Sequence, residues 1–293
     1  MKIKLFVFII NIFCIFPLLY AQENVLSFDK NWALDVSLNY HTLQFYQSDS
    51  FVCRGNKPLD LGLEIRYKKF ELGFNIELPF LYEYYYPRSE SFDINTKYIG
   101  ERVVTNINFS KYSSFYIDEY QDMGKEVDLD IMSTGFSVYW ILDHEKHSLR
   151  GVYKLDRKQT VSSGSPLIGF GGYYNSIHSN DNKLPGYEDK QHFIYLSPLA
   201  GYSYVWIFGS GLFLNIDITV GANHGLHINE RKFVLMPMAF PNMTFGYHFN
   251  TWSVNASVGA NMYLAIQSFN NENIDWHQLL KINAVLLNVS KRF

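Results

Sequence analysis

Apolar and polar residues alternate along this chain over stretches of about ten residues. Within 32–40 every even-numbered residue is apolar, and the residues between them are polar or small. The same period of two runs through 59–68 and 70–78. Such alternation predicts strands with one apolar and one polar face. About ten residues is also the length at which a tilted strand crosses the hydrocarbon core of a bilayer.

Further strands are predicted along the rest of the chain. They fall near 91–99, 102–116, 129–141, 147–160, 166–177, 191–207, 211–221, 232–247, 251–265 and 278–293. The total is thirteen runs, whereas a barrel with both ends on one side of the membrane needs an even number. Short and long connections alternate only if 147–177 is one ascending element with a bulge or inward kink at 161–166. This alternation predicts twelve strands, and ten or fourteen stay open.

The connections and the end of the chain indicate an outer-membrane barrel. Short connections near 68–69, 100–101, 142–146, 208–211 and 248–251 are predicted to face the periplasm, and longer polar ones the exterior. The last strand closes on a terminal phenylalanine, Phe293. We therefore predict an all-β, transmembrane, antiparallel up-and-down barrel over 22–293, as a single domain without a separate plug. A secreted β-sandwich is the rival fold.

Residues 1–21 have the pattern of a secretory signal peptide. Lys2 and Lys4 supply the positive start, 5–19 is almost continuously apolar, and Ala21 precedes the predicted cleavage point. The apolar stretch is short for the alternative, a retained transmembrane helix. The signal and the strand pattern together predict a location in the outer membrane of a Gram-negative bacterium. Both termini of the mature chain are then expected in the periplasm.

Composition narrows the expected partners. Aromatic residues make up 17% of the chain, which suits strands and membrane interfaces. Loss of Lys2 and Lys4 with the signal peptide changes the formal net charge from −3 to −5, so no nucleic-acid partner is expected. Cys53 is then the one remaining cysteine, which excludes an internal disulfide. We expect outer-membrane lipid and a small-molecule solute as partners, with no cofactor and no metal. The oligomeric state stays open.

Four stretches, in order along the chain, carry a family resemblance. They are 58–74, 96–102, 139–147 and 159–167. They resemble a family of bacterial outer-membrane β-barrel proteins known only as a domain of unknown function. The resemblance implies an outer-membrane barrel and supplies no activity, substrate or catalytic residue.

Charged residues on the polar faces of the predicted strands are candidates for lining the lumen. An unpaired charge that faced lipid at mid-bilayer would cost several kcal/mol, so these side chains should point inward. They are Asp35, Glu64, Arg66, Glu71, Glu77, Asp93 and Asp217. Two interpretations compete: a paired network that fills a narrow barrel, or the lining of a water path with some ion preference.

A dense group of tyrosines occupies a predicted outer edge. It comprises Tyr82, Tyr84, Tyr85 and Tyr86. Such rings could stack on sugars, but an aromatic girdle at the membrane interface is the commoner use of exposed tyrosine in a barrel.

No catalytic constellation is recognisable in the sequence. No histidine begins a His-x-Ser pair, the spacing that would place both side chains on one face of a strand. The nearest match, His178-Ser179, falls in a predicted loop. We therefore predict a non-enzymatic channel or a barrel that binds or transports a small molecule. The alternatives are an enzyme acting on lipid or peptide, and a structural or adhesive barrel with ligand-binding outer loops.

Overall fold

Twelve antiparallel strands form the wall of the protein. The computed structural model describes residues 24–28, 30–48, 51–56, 59–68, 70–78, 88–117, 125–180, 190–228, 232–267 and 275–293; the predicted signal peptide lies outside them. The wall strands are β1 (Trp32–Ser48), β2 (Leu59–Tyr67), β3 (Phe70–Glu77), β4 (Glu90–Ile99), β5 (Val103–Ser113), β6 (Leu129–Ile141), β7 (Ser163–Ser179), β8 (Gln191–Phe208), β9 (Leu212–His227), β10 (Lys232–His248), β11 (Trp252–Gln267) and β12 (Asp275–Arg292).

The wall is a closed barrel. Each strand pairs with the next along the chain, and β12 pairs with β1, with Val289 opposite Val36 and Arg292 opposite Ala33. Closure gives every wall strand a neighbour on both sides, which is the condition for placing a sheet in a bilayer. The predicted antiparallel up-and-down barrel of twelve strands is confirmed. Among the described residues, no helix is long and apolar enough to cross a membrane.

The two faces of the wall differ as the alternation predicted. Every wall strand exposes large apolar side chains outward, among them Leu34 on β1, Leu196 on β8 and Leu287 on β12. Many of the side chains between them are small, polar and buried, such as Ser165, Ser203 and Ser290. This is the apolar-out, polar-in pattern of a transmembrane barrel. The small inward side chains also leave room for other parts of the chain inside the barrel.

Aromatic pairs lie at the end of the barrel that carries the short connections. Phe249 stacks on Trp252 with ring centroids 3.7 Å apart, and the Trp32 and Tyr67 rings are 4.6 Å apart. Aromatic rings of this kind concentrate where a membrane meets water. The predicted tyrosine rim, Tyr82 to Tyr86, lies outside the described residues and stays a prediction.

Three short strands are added to the wall at the opposite, outer end. Phe51–Arg54 pairs with the upper part of β1, Phe115–Ile117 pairs with Phe51–Arg54, and Glu126–Val127 pairs with Phe115–Ile117. Their apolar side chains pack with inward residues of the wall in an outer cluster: Phe45, Cys53, Phe115, Ile117, Val127, Leu129, Ile131, Ile177, Phe193 and Tyr195. Cys53 is fully buried in this cluster.

Residues 142–162 fold into the barrel at the end with the short connections. This inward segment contains a π-helical turn, Arg150–Lys154, and a short strand, Arg157–Gln159, which pairs with Val25–Ser27. The prediction of a strand over 147–160 is therefore wrong, and β7 begins only at Ser163. Apolar residues of the segment suggested a wall strand, but they pack against the inner face of the barrel instead. Val152 and Leu155, for example, pack against Val205 and Phe213.

A charged residue on the outward apolar face of the wall should destabilise the barrel more than one in an exposed turn. We expect Leu287→Arg, on the outward face of β12 and 52% exposed, to lower the free energy of unfolding in lipid by about 2–4 kcal/mol, because arginine facing the hydrocarbon core is costly. Thr251→Arg, in the exposed turn before β11, is the control and should change it by less than about 1 kcal/mol. Denaturant unfolding in liposomes measures both. Equal effects of the two variants would contradict a lipid-facing position for Leu287.

Candidate functional site

A cavity lined by both charged and apolar side chains lies inside the barrel. Its volume is about 460 Å³. Side chains from both halves of the wall line it, including Asp35, Glu64, Glu71, Lys97 and Asp217, and the inward segment contributes Leu149 and Tyr153. A volume of this size is within the range of small-molecule sites.

Arg66 and Asp35 form the tightest ion pair beside the cavity. The Arg66 Nε and Nη2 atoms each lie 2.6 Å from a different oxygen of Asp35. Nη2 also donates to Ser290 Oγ at 2.5 Å. The three residues sit on β2, β1 and β12, so this contact spans the seam at which the barrel closes. Two-pronged pairing of this kind fixes the orientation of both side chains.

Glu71 lies between two lysines. Its Oε1 atom is 4.0 Å from Lys97 Nζ on β4, and its Oε2 atom is 3.9 Å from Lys154 Nζ on the inward segment. The Lys154 side chain is fully buried, and burial lowers its pKa, whereas Glu71 and Asp156 raise it. The inward segment is thus connected electrostatically to the wall of the cavity.

Glu64 is held less tightly than its neighbours. Its Oε1 atom lies 4.0 Å from Arg66 Nε, and its side chain is 28% exposed. Gly73 stands directly opposite on β3, and a Cβ atom there would lie 3.4 Å from Glu64 Oε2. The absence of a side chain at 73 leaves the Glu64 carboxylate room beside the cavity.

Asp217, almost across the barrel on β9, is surrounded by neutral donors. Its Oδ2 atom accepts hydrogen bonds from the Tyr153 hydroxyl, from Asn215 Nδ2 at 2.9 Å and from Asn242 Nδ2 at 3.2 Å. Tyr153 belongs to the inward segment, so this carboxylate is a second polar contact between the segment and the wall. Burial raises the pKa of the Tyr153 hydroxyl, and the adjacent Asp217 carboxylate raises it further, so the hydroxyl stays a donor.

The structure brings several of the sequence-predicted lumen residues together. Asp35, Glu64, Glu71 and Asp217 line the cavity, and Arg66 is buried beside it. The side chains of Glu77 and Asp93 lie outside the described ones. Sequence reasoning missed Lys97, although alternation along β4 would have placed it on the same face as Asp93. It also missed Tyr153 and Lys154, for which no local pattern signals an inward segment.

Arg292, the last residue but one, holds the inward segment in place through hydrogen bonds. Its Nη1 atom donates to the Leu155 carbonyl at 2.5 Å and to Ser253 Oγ at 2.7 Å. Its Nη2 atom donates to the carbonyls of Phe249 and Trp252 at 2.6 and 2.9 Å. Leu155 has a positive φ of 55°, an uncommon conformation for leucine that ends the π-helical turn and turns its carbonyl to the guanidinium.

Two further contacts hold the same segment. Arg150 pairs with Asp156 within the segment and with Glu101 of the short β4–β5 connection, at 3.3 Å for the second pair. Arg157 also pairs with Glu101. The Phe28 ring, beside the short N-terminal strand, lies 3.8 Å from the Arg292 guanidinium carbon. Residues near the described N-terminal strand and Arg292 of the last strand thus both contact the segment.

Three histidine–serine contacts are present among the described residues. His147 Nε2 lies 3.1 Å from Ser203 Oγ and its Nδ1 atom lies 3.4 Å from Ser163 Oγ, while His248 Nδ1 lies 3.0 Å from Ser253 Oγ. Neither histidine lines the cavity, so these contacts serve packing of the inward segment. The described part of the chain contains no group of three His, Cys, Asp or Glu side chains placed to hold a metal ion.

Comparison with known proteins gives the family. The family model described as "Domain of unknown function (DUF4421)" matches residues 27–285. The chain belongs to the DUF4421 family. This confirms the resemblance found in the sequence. No curated protein matches the chain.

Solved structures with the same kind of fold share little sequence with this DUF4421 member. The outer-membrane protease OmpT from Escherichia coli is 8% identical, with 92% of this chain and 99% of that chain covered and a TM-score of 0.34. A FadL homologue from Pseudomonas aeruginosa is 9% identical, with coverages of 90% and 91% and a TM-score of 0.32. The transport unit of the autotransporter AIDA-I from Escherichia coli is 8% identical, with coverages of 94% and 93% and a TM-score of 0.35.

The Arg292 contacts should decide how firmly the inward segment is held. We expect Arg292→Met to lower the free energy of opening of this segment by about 2–4 kcal/mol, because buried carbonyls lose a charged donor. Hydrogen exchange of the amides in 150–155 measures the change. Lys291→Met is the matched control, since Lys291 is exposed and its Nζ atom reaches only Thr251 Oγ1, at 3.4 Å. Unchanged exchange in Arg292→Met would show that the other contacts suffice.

Acid should loosen the same segment through His147. Burial lowers the pKa of this fully buried imidazole to about 4, against about 6.5 when exposed, although the Ser163 backbone and Asp143 raise it. Between these values the open form binds more protons, so stability rises with pH. We expect exchange of the segment, corrected for intrinsic rates, to be faster at pH 4.5 than at pH 7.

A histidine replacement separates this effect from other titrations. His147→Asn should lose part of the pH dependence, the remainder resting with the buried His248, which contacts Gly151 of the segment. His144→Asn, in the same segment but partly exposed, should keep the full dependence. If His147→Asn retains the full dependence, another group controls the segment.

Proposed function

We propose that this protein is a non-enzymatic outer-membrane barrel that binds a small solute in its interior cavity. Passage of the solute then requires the inward segment to move. The observation that carries the proposal is the position of the cavity. It is bounded by polar side chains of the wall and by Leu149 and Tyr153 of the inward segment.

The occupied interior favours a binding or gated barrel over an open pore. The inward segment fills one end of the barrel, and the outer cluster fills part of the other. Some of the charges inside the barrel are paired, as between Arg66 and Asp35. A permanently open channel would instead need a continuous lining of hydrated groups.

The arrangement of the ends supports an orientation in the membrane. The N-terminal strand Val25–Ser27 and the terminal Phe293 lie at the end with the short connections, where Phe293 N donates to the Trp32 carbonyl. Outer-membrane barrels have short turns on the periplasmic side. We therefore place both termini, and the inward segment with them, in the periplasm, with lipid as the partner of the outward belt.

The described histidine–serine contacts do not favour an enzymatic role. A nucleophile activated by histidine must reach its substrate, yet His147 and Ser203 are fully buried. The interior cavity combines apolar side chains with carboxylates, amides and hydroxyls, and these polar groups can orient a solute through hydrogen bonds.

Removal of the inward segment tests the proposal. In planar bilayers we expect the intact protein to show low conductance with rare openings. Replacement of 145–160 by a short Gly-Ser linker should raise the mean conductance at least about tenfold, because the segment no longer fills the lumen. Arg292→Met, which keeps the whole segment, should raise the frequency of openings, and Lys291→Met should not.

Two outcomes would contradict this function. A stable, wide pore in the intact protein would show that the segment does not restrict passage. Equal, low conductance in the intact protein, in the linker variant and in Arg292→Met would show that the interior is closed by other groups, and a gated route through this end would then be excluded. Migration of each variant as a compact, unheated band in gel electrophoresis confirms that the barrel has folded.

A further inference from the structure

The cavity has more negative than positive groups. Four carboxylates line it, from Asp35, Glu64, Glu71 and Asp217, and one lysine, Lys97. Two further cations, Arg66 and Lys154, lie behind the lining next to Asp35 and Glu71. The carboxylates therefore outnumber the cations even when both layers are included.

Two of the four carboxylates lack a cation of their own. Arg66 Nε lies 4.0 Å from Glu64 Oε1, but that guanidinium is already bound to both oxygens of Asp35. Lys97 also acts on Glu64, but it is shared with Glu71. In the described part of the chain, no lysine, arginine or histidine nitrogen lies within 4.0 Å of the Asp217 carboxylate, which receives only neutral donors. Glu64 and Asp217 stand on β2 and β9, nearly opposite each other around the twelve-stranded wall.

Buried acceptors without donors lie in the same wall. The Oδ1 atoms of Asn255 and Asn288, a directly opposed pair on β11 and β12, have no hydrogen-bond partner among the described residues. Asn255 is only 8% exposed. Glu71 Oε2 likewise accepts no hydrogen bond, in a residue that is 5% exposed. An unsatisfied buried acceptor is energetically costly, so a ligand that brings donors to this wall would recover part of that cost.

Aromatic rings complete the lining. Tyr139, Tyr153 and Phe240 all border the cavity. The face of an aromatic ring attracts ammonium groups, most strongly where water is excluded. Carboxylates, carboxamide oxygens and aromatic faces together suit a cation that also donates hydrogen bonds, and they suit an anion poorly.

We propose that the cavity binds a small organic ammonium compound through its carboxylates Glu64 and Asp217, with an amine at one end of the compound and a second amine or another donor at the other. The inference rests on the proposed solute-binding function and specifies its ligand class. The cavity volume of about 460 Å³ accommodates a molecule of several non-hydrogen atoms.

Three probes of equal length and different charge test the ligand class. They are 1,4-diaminobutane, butane-1,4-diol and succinate, each titrated by calorimetry into the folded, detergent-solubilised protein. We expect 1,4-diaminobutane to bind at least about tenfold more tightly than the diol, a difference of about 1.4 kcal/mol, and succinate not to bind. Magnesium chloride serves as a fourth probe and should not compete with the diamine.

Matched variants locate the site. Glu64→Gln and Asp217→Asn should each weaken diamine binding at least about tenfold, because each removes one negative end while keeping side-chain size. Glu126→Gln removes a carboxylate from the exposed outer strand Glu126–Val127 and should leave binding unchanged. Thermal unfolding of each variant, compared with the parent protein, separates loss of the site from loss of the fold.

The outcomes distinguish this inference from the function on which it rests. Tighter binding of the diol or of succinate would overturn the ammonium assignment and leave a solute-binding barrel. Unchanged diamine binding in Glu64→Gln and Asp217→Asn would place the diamine elsewhere, and competition by magnesium would indicate an inorganic cation; either result overturns the inference. Failure of all three organic probes to bind also overturns the inference. The conductance of the linker variant then tests separately whether the inward segment gates the barrel.

Discussion

The pairing of the last strand with the first is the constraint on which the rest of this structure depends. A sheet in a bilayer must satisfy all its backbone groups internally, so β12 has to meet β1. That closure brings the penultimate residue, Arg292, to the level of Ala33 and next to the N-terminal strand. The chain can therefore use its own two ends to hold the inward segment, through the guanidinium of Arg292 and the pairing of Val25–Ser27.

The side chains that face the lumen are arranged around the inward segment. Inward side chains are small where the segment 142–162 must fit, as at Ser203, which contacts His147 of the segment. Charges lie inside because lipid would not accept them, and they pair across strands and across the seam, as Arg66 does with Asp35 and Ser290. The cavity is the part of the lumen that the inward segment and the inward side chains do not fill. Residues of both the wall and the segment therefore line it.

Carboxylates of the proposed binding cavity also contact the inward segment. Tyr153 and Lys154 are neighbours on one turn of the inward segment, and they contact Asp217 and Glu71 on separate parts of the wall. A charged solute in the cavity would compete for the same carboxylates, and binding would then weaken the contacts that hold the segment. Coupling of this kind requires a difference in affinity between the closed and open arrangements, and shared carboxylates provide one.

The sequence alone predicted the class of fold and, in the strands with clear alternation, which residues face inward, because a period of two reports the two faces of a strand directly. It predicted twelve strands but left ten and fourteen open, because 147–160 resembled part of a wall strand. It placed Asp35, Glu64, Glu71 and Asp217 on the inner face for the same reason. Only the tertiary structure decided that 142–162 enters the barrel, since apolar residues such as Val152 do not reveal whether lipid or the interior covers them. Only the tertiary structure shows the contacts of the site. Arg66 meets Ser290, and Tyr153 meets Asp217, only once the barrel has closed.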